Sequence, residues 1–255
     1  MVRQCFAVLF LLGTLSSPPA SWAETRVEQN IEARITVALR VPQAEAQKFI
    51  PAPWLVNPLS SGPSKEANLL LTFRDRALNL DGEGVPVAGG AERGAIIIIP
   101  AKHAETGETA MYVVRVFTSK PQSLPGDYKN AALAEVRHEQ SFKASDSDFG
   151  VGTDLWEVRD KSGGVIDFSL QYQKEAPVQT KPESKTHGGP NPTFFRIYRV
   201  DQGLDVVKSI PAGIDRVKNN KFHVTMKEFS GLFDGTEQLV SITVIPWYIR
   251  QVFIP

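Results

Sequence analysis

The sequence predicts a mainly β protein organised as one large, mostly antiparallel domain, and three observations carry that expectation. Apolar and polar residues alternate through most of the chain, which is the period of strands that bury one face. The run Ile96-Ile97-Ile98-Ile99 sets four β-branched side chains in succession, leaving no polar face for water, and so predicts a strand at the centre of its sheet. Turn-forming groups fall between the alternating runs: Asp81-Gly82, Gly89-Gly90, Pro125-Gly126, Ser162-Gly163-Gly164 and Asp201-Gln202-Gly203.

Residues 1–23 read as an export leader. Arg3 gives a basic start, Phe6 to Leu12 an apolar run too short to span a bilayer, and Ser21-Trp22-Ala23 a small-x-small cleavage site, so the expected mature chain starts at Glu24 and is periplasmic or secreted. The one cysteine, Cys5, falls within that leader, so the exported domain is expected to rely on core packing rather than a disulfide.

The first alternating run carries Ile35, Val37, Leu39 and Val41 on one face. A short helix is expected next, with Pro42 at its first turn, Ala44, Ala46 and Phe49 within it, and a stop before Pro51. Strands follow at Ala67 to Arg74, Gly94 to Ile99, Ala110 to Thr118, Ala132 to Phe142, Leu155 to Arg159 and Val165 to Tyr172. Four more are expected at Phe194 to Val200, Leu204 to Ile210, Phe222 to Glu228 and Leu239 to Pro246. Lys174 to Pro192, rich in Pro, Lys, Thr and Gly, reads as a mobile loop. Strand periodicity resumes after it, which favours one domain over two open-edged sheets.

Without Arg3 the chain carries 27 basic against 28 acidic residues, with the signs interspersed, so no nucleic-acid partner is expected. The densest basic stretch, Arg216 to Lys221, is diluted by Val217, Asn219 and Asn220 and reads as a solvated turn. No second apolar stretch approaches a membrane span. The composition leaves room for an oligomer without specifying one.

The G-x-S-x-G elbow, P-loop, G-x-G-x-x-G and H-E-x-x-H signatures are absent, and no cofactor is expected. His103, His138, His187 and His223 are scattered, with no two at metal-ligand spacing, so no metal is expected either. In the strand at Ala132 to Phe142, Ala132, Ala134, Val136 and His138 share one face, and Leu133, Glu135, Arg137 and Glu139 the other. Two alanines on an inward face predict a cavity, with His138 at its rim as a ligand contact or as an ordinary core or edge histidine. Glu135 and Arg137 are candidate ligand contacts, although Glu-x-Arg-x-Glu also reads as a solvated charge ladder.

The order of several short motifs resembles the acetoacetate decarboxylase superfamily. These are Phe49-Ile50-Pro51, then Ile98-Ile99-Pro100-Ala101 leading through Gly107 into Met111 to Phe117, Pro121 with Gly126 beyond it, and Pro192-Thr193-Phe194-Phe195-Arg196-Ile197. The likeness covers roughly Ile31 to Ile254 and implies a cone-like antiparallel β-barrel around an internal pocket. Decarboxylating members condense a lysine amine with a β-keto acid, and that amine must fall well below the ordinary lysine pKa of about 10.4 to attack. They carry Gly-Arg-Glu and then Pro-Lys-Lys, the first lysine eight positions after the glycine. In this chain Gly126 is followed by Asp127-Tyr128, and the eighth position is Ala134. The chain therefore resembles a divergent member without the lysine motif, Lys129 being the nearby alternative and Asn130 supplying no second cation.

Three functions stay open from the sequence. The first is an exported domain that binds a small organic acid or ketone, with Arg115 or Arg137 as carboxylate partner and His138 as acid or base. The second is a β-keto acid decarboxylase that uses Lys129. The third is an interaction protein that docks through an exposed strand edge or through the C-terminal Trp247, Tyr248 and Phe253 around Arg250, a segment that otherwise closes the protein's own core.

Overall fold

A computed structural model describes residues 24–121, 130–145, 148–188 and 191–255. Residues 1–23, where a leader is expected, lie outside the described residues, as do Pro125-Gly126 and Lys129. In chain order the elements are β1 (Thr25–Arg40), α1 (Gln43–Gln47), β2 (Trp54–Val56), β3 (Leu69–Asp81), β4 (Glu92–His103), β5 (Thr109–Thr118), β6 (Ala131–Ser145) and β7 (Asp148–Asp160). They continue with β8 (Val165–Gln173), β9 (Val178–Thr180), β10 (Glu183–Gly188), β11 (Phe195–Ser209), β12 (Ile214–Asp215), β13 (Val217–Val224) and β14 (Gln238–Ile254).

Strand β1 pairs with β14 on one edge and β3 on the other, and β3 passes the sheet to β4 and then β5. From β5 a short parallel pairing, Met111–Val113 with Thr186–Gly188, leads to β10, and β10 joins β11, which pairs with β14. These pairings close a ring of seven strands. The mainly β, mostly antiparallel fold follows from this register. The pairings define a ring, and the cone-like outline goes beyond them. A four-stranded wing, β6-β7-β8-β13, leaves β5 through a second parallel pairing, Val116–Thr118 with Ala131–Leu133.

The main core lies where the wing packs on the ring. Ile35, Val37 and Leu39 of β1, Leu71 and Phe73 of β3, and Ile97 and Ile99 of β4 meet Trp156, Val158, Phe168 and Leu170 of the wing. The isoleucine run therefore splits by parity, odd residues into this core and Ile96 and Ile98 into a second cluster with Val113 and Val116. Both faces of β4 are covered, as the run requires. At Gly94 a Cβ would lie 2.3 Å from the Phe117 carbonyl oxygen, so glycine is what lets β4 and β5 approach this closely. The short helix falls where expected, with Ala46 buried and Phe49 packed 5.2 Å from Phe229.

Four expectations are corrected, the first being the turn at Arg216 to Lys221, where Val217–Val224 instead forms β13 against β8. Asp201-Gln202-Gly203 is not a turn but the middle of β11, where Gly203 leaves room for the Trp247 ring, 2.3 Å from where a Cβ would sit. The segment Lys174 to Pro192 contains β9 and β10 rather than forming one loop. Strand β14 does not stop at Pro246 but runs to Ile254. The register against β1 shifts between Glu32 and Arg34, whose partners are Tyr248 and Ile245, and the resulting bulge accommodates a proline that has no N–H to give.

Candidate functional site

A cavity of about 140 Å³ lies within the ring, and every ring strand contributes to its wall. Apolar residues of β4 and β5, chiefly Ile96, Ile98 and Val113, line one part. Four guanidiniums, those of Arg34, Arg74, Arg196 and Arg250, line the rest with one carboxylate, Glu28. They converge because alternate residues of one strand share a face: Glu32 and Arg34 on β1, Arg74 and Arg76 on β3, Arg196 and Tyr198 on β11, Tyr248 and Arg250 on β14.

Ion pairs hold this polar interior together. Arg34 donates Nε–H to Glu32 Oε2 at 2.6 Å, and Glu32 Oε1 lies 3.8 Å from Arg250 and 3.9 Å from Arg74. Arg74 also pairs closely with Glu92, which accepts from Thr118 at 2.7 Å, while Arg76 reaches Glu92 at 3.2 Å. Glu28 is shared by Arg250 at 3.4 Å and Arg196 at 3.8 Å. The Arg34 guanidinium stands 3.5 Å above the Tyr248 ring and that of Arg250 is 4.4 Å from Tyr198.

Burial would push the Glu32 carboxyl pKa up, but Arg34, Arg74 and Arg250 outweigh it and hold it at about 2. Burial opposes the charge on Arg250 as well, yet the surrounding Tyr198, Glu32, Tyr248 and Glu28 raise its pKa, so it stays a cation. Five arginines against three glutamates (Glu28, Glu32, Glu92) leave the interior two positive charges in excess. An apolar wall beside fixed, net cationic donors suits a small carboxylate, and the same donors can stabilise an oxyanion that develops on it. No lysine lines the cavity among the described residues.

Few of the residues singled out from sequence come to this cavity. Ala134 is buried in the main core and Ala132 packs against it, because the inward face of β6 meets the outside of the ring. Neither opens a hollow. Glu135 and Arg137 face solvent on the outer side of the wing, where Arg137 pairs with Glu139 two residues on. They line neither the ring cavity nor the larger cavity between wing and ring, and the charge-ladder reading describes them. Arg115 is turned away from the ring interior and bonds Glu228 at 2.6 Å. Lys129 lies outside the described residues, but the next residue, Asn130, is buried in the cavity wall and donates to the Val113 carbonyl at 2.7 Å. The clearest sequence signal for the arginines was a polar or charged residue at every second position of a strand, as in Asn30-Ile31-Glu32-Ala33-Arg34, where the intervening residues are apolar, and in Arg74-x-Arg76.

His138 lies elsewhere, in the wall of a second cavity of about 320 Å³ between wing and ring. Its Nδ1 is 3.3 Å from Asp75 of β3 and its Nε2 3.2 Å from Asp154 of β7, and its ring stacks 3.8 Å from Trp156. Burial lowers the imidazole pKa, but hydrogen bonds to Asp154 and Asp75 outweigh it and raise it overall; the bond from His138 in turn lowers Asp75. With both nitrogens committed, His138 ties the wing to the ring. A group with a raised folded pKa stabilises below its unfolded value and loses that contribution as pH rises through the folded one. The melting-temperature gap between wild type and His138→Gln is thus expected to be widest at about pH 6, below the ordinary imidazole value, and to narrow as pH rises above it. A gap that stays constant as pH rises would rule out the charged tie.

The ring and its flanking wing give the chain a fold similar to that of acetoacetate decarboxylase-like enzymes. No protein-family model matches the chain, and no curated protein matches it in sequence. Solved structures do match in fold. One is the enduracididine biosynthesis enzyme MppR complexed with the condensation product of pyruvate and imidazole 4-carboxaldehyde, with a TM-score of 0.56 at 9% identity, covering 92% of this chain and 90% of that one. Another is an acetoacetate decarboxylase-like enzyme from Sphingomonas wittichii RW1, with a TM-score of 0.54 at 12% identity, covering 95% of this chain and 99% of that one. At these identities the likeness is one of fold.

Proposed function

We propose that this chain is an exported acetoacetate decarboxylase-like domain that binds a small organic acid or keto acid in the ring cavity. The excess of guanidinium charge on a buried, partly apolar wall carries the reading. A pyruvate adduct bound to a structural neighbour of the same fold supports it. The ligand carboxylate is received by Arg196, whose Nε has no hydrogen-bond partner among the described residues and whose nearest carboxylate is 3.8 Å away, so it is the wall arginine least committed to the protein. The methyl or methylene end then rests on Ile96, Ile98 and Val113.

Calorimetric titration with pyruvate tests this: Arg196→Ala is expected to weaken binding about 10- to 100-fold, the scale of a lost charge-assisted pair of about 1.5–3 kcal/mol. Unchanged affinity would remove Arg196 from the site, and no binding by wild type would end the proposal. Imine chemistry is a separate question. The cavity wall described offers arginines, which stay protonated and form no imine, so borohydride with acetoacetate is expected to leave no reduced adduct. A stable adduct on Lys129 would instead establish the decarboxylase. Docking through the C-terminal aromatics is disfavoured, since Tyr248 and Phe253 lie within β14 against Arg34 and Arg199.

A further inference from the structure

We infer that the second cavity, between wing and ring, is a separate binding site for a small primary amine with an aromatic or alkyl body. Its floor carries polar atoms that the protein leaves unanswered. Asp154 is 1% exposed and Tyr172 fully buried, yet Asp154 Oδ2 and the Tyr172 hydroxyl have no hydrogen-bond partner among the described residues. Both residues line the cavity. They sit on adjacent strands of the wing, on its inward face, Asp154 beside Leu170 and Tyr172 beside Gly152. Gly152 makes the placement possible, because a Cβ there would lie 2.7 Å from the Tyr172 hydroxyl.

The unanswered acceptor at the floor belongs to a carboxylate. Both His138 nitrogens face carboxylates, which an imidazole satisfies as a donor at both positions only when protonated. One imidazolium serves Asp75 and Asp154 together, and with Arg93 on Asp75 the four charges balance. The other acids of the wall are answered: Asp75 also bonds Arg93, and Asp205 and Glu175 both face Arg216. Asp154 Oδ2 remains the buried acceptor that calls for a donor, and an ammonium supplies the charge-assisted one that a carboxylate oxygen binds most strongly.

The mouth is aromatic. Phe142 and Phe149 line it while 51% and 57% exposed, an unusual place for two large apolar rings unless something covers them. The protein already sets one ammonium against this rim, Lys174 Nζ lying 3.9 Å from the Phe142 ring centre. A primary amine entering here places its ammonium between Asp154 Oδ2 and the Tyr172 oxygen and its body against Phe142, Phe149 and Trp247. The site shares only Arg34 with the ring cavity, so it is not the acid-binding site seen from the other side.

The test uses 2-phenylethylamine as probe, with 2-phenylethanol and 3-phenylpropionate as neutral and anionic comparators. Binding is followed by tryptophan fluorescence, since Trp156 and Trp247 stand in the wall, and by calorimetry. The amine is expected to bind at least about tenfold more tightly than either comparator, the scale of one charge-assisted bond. Asp154→Asn and Phe142→Ala are each expected to weaken it about tenfold, with excess pyruvate leaving it unchanged. Should Asp154→Asn fail to fold, Phe142→Ala decides alone, because that side chain is half exposed. Equal affinity for the alcohol, displacement by pyruvate, unchanged binding by Phe142→Ala, or no binding at millimolar amine each overturns the inference.

Discussion

Replacing Glu32 by alanine is expected to destabilise the protein by about 3–5 kcal/mol, the cost of breaking a buried ion-pair network from one side. Glu32 is 2% exposed and is the one carboxylate that faces Arg34, Arg74 and Arg250 together. Without it the guanidiniums of Arg34, Arg74 and Arg250 are left in the ring interior with Glu28 and Glu92 to balance them. Glu32→Gln keeps the volume and should recover little, since charge rather than shape is missing. The same carboxylate sets an acid limit. Its pKa is lowered from an ordinary 4.5 to about 2, so its contribution is complete above pH 4.5 and is lost as pH falls from there towards 2. The span corresponds to about 3 kcal/mol. Urea titrations at pH 7 and at pH 3 measure both effects, and a loss under about 1 kcal/mol for Glu32→Ala at neutral pH would show that the arginines find other partners.

Phe73→Ala is expected to cost a comparable 3–5 kcal/mol, as large-to-small changes of buried aromatics do, at about that scale. Phe73 is fully buried on the ring face of the main core, stacked 5.0 Å from Phe168 and 5.5 Å from Trp156. Both partners belong to the wing, so the loss falls on the contact that holds wing to ring and on the stacking worth about 0.5–1.5 kcal/mol beyond area. Hydrogen exchange is expected to quicken in β6, β7 and β8 while β1, β3 and β4 keep their protection at moderate denaturant. Uniform acceleration across ring and wing would show that the two unfold as one unit.

Much of the fold was legible because strand signals are local. The faces of β6 follow from parity: Ala134 buried, with Leu133, Glu135 and Arg137 exposed. The short helix and the turn at Ser162-Gly163-Gly164 follow from proline and glycine placement. The failures have physical causes too. Asp201-Gln202-Gly203 has turn composition, but its glycine serves the approach of the Trp247 ring, a partner on another strand. Pro246 looks like a strand end, but a bulge absorbs it. The candidate site was the least legible part. Glu135 and Arg137 drew attention because they are neighbours in sequence, whereas the cavity arginines lie on four different strands.

The amino-acid sequence by itself determined which residues lie in strands, which face of each strand is apolar, and, through a thin set of motifs, the acetoacetate decarboxylase-like fold, because these depend on period and on residues close along the chain. Only the tertiary structure decided where the chemistry collects. Closing the ring brings Glu32 near the start of the chain against Arg250 near its end, and folding the wing over the ring sets His138 between Asp75 and Asp154 rather than in the ring cavity. No local pattern encodes such convergence, since a charged residue on a strand looks the same in sequence whether its face meets water, a core or a ligand.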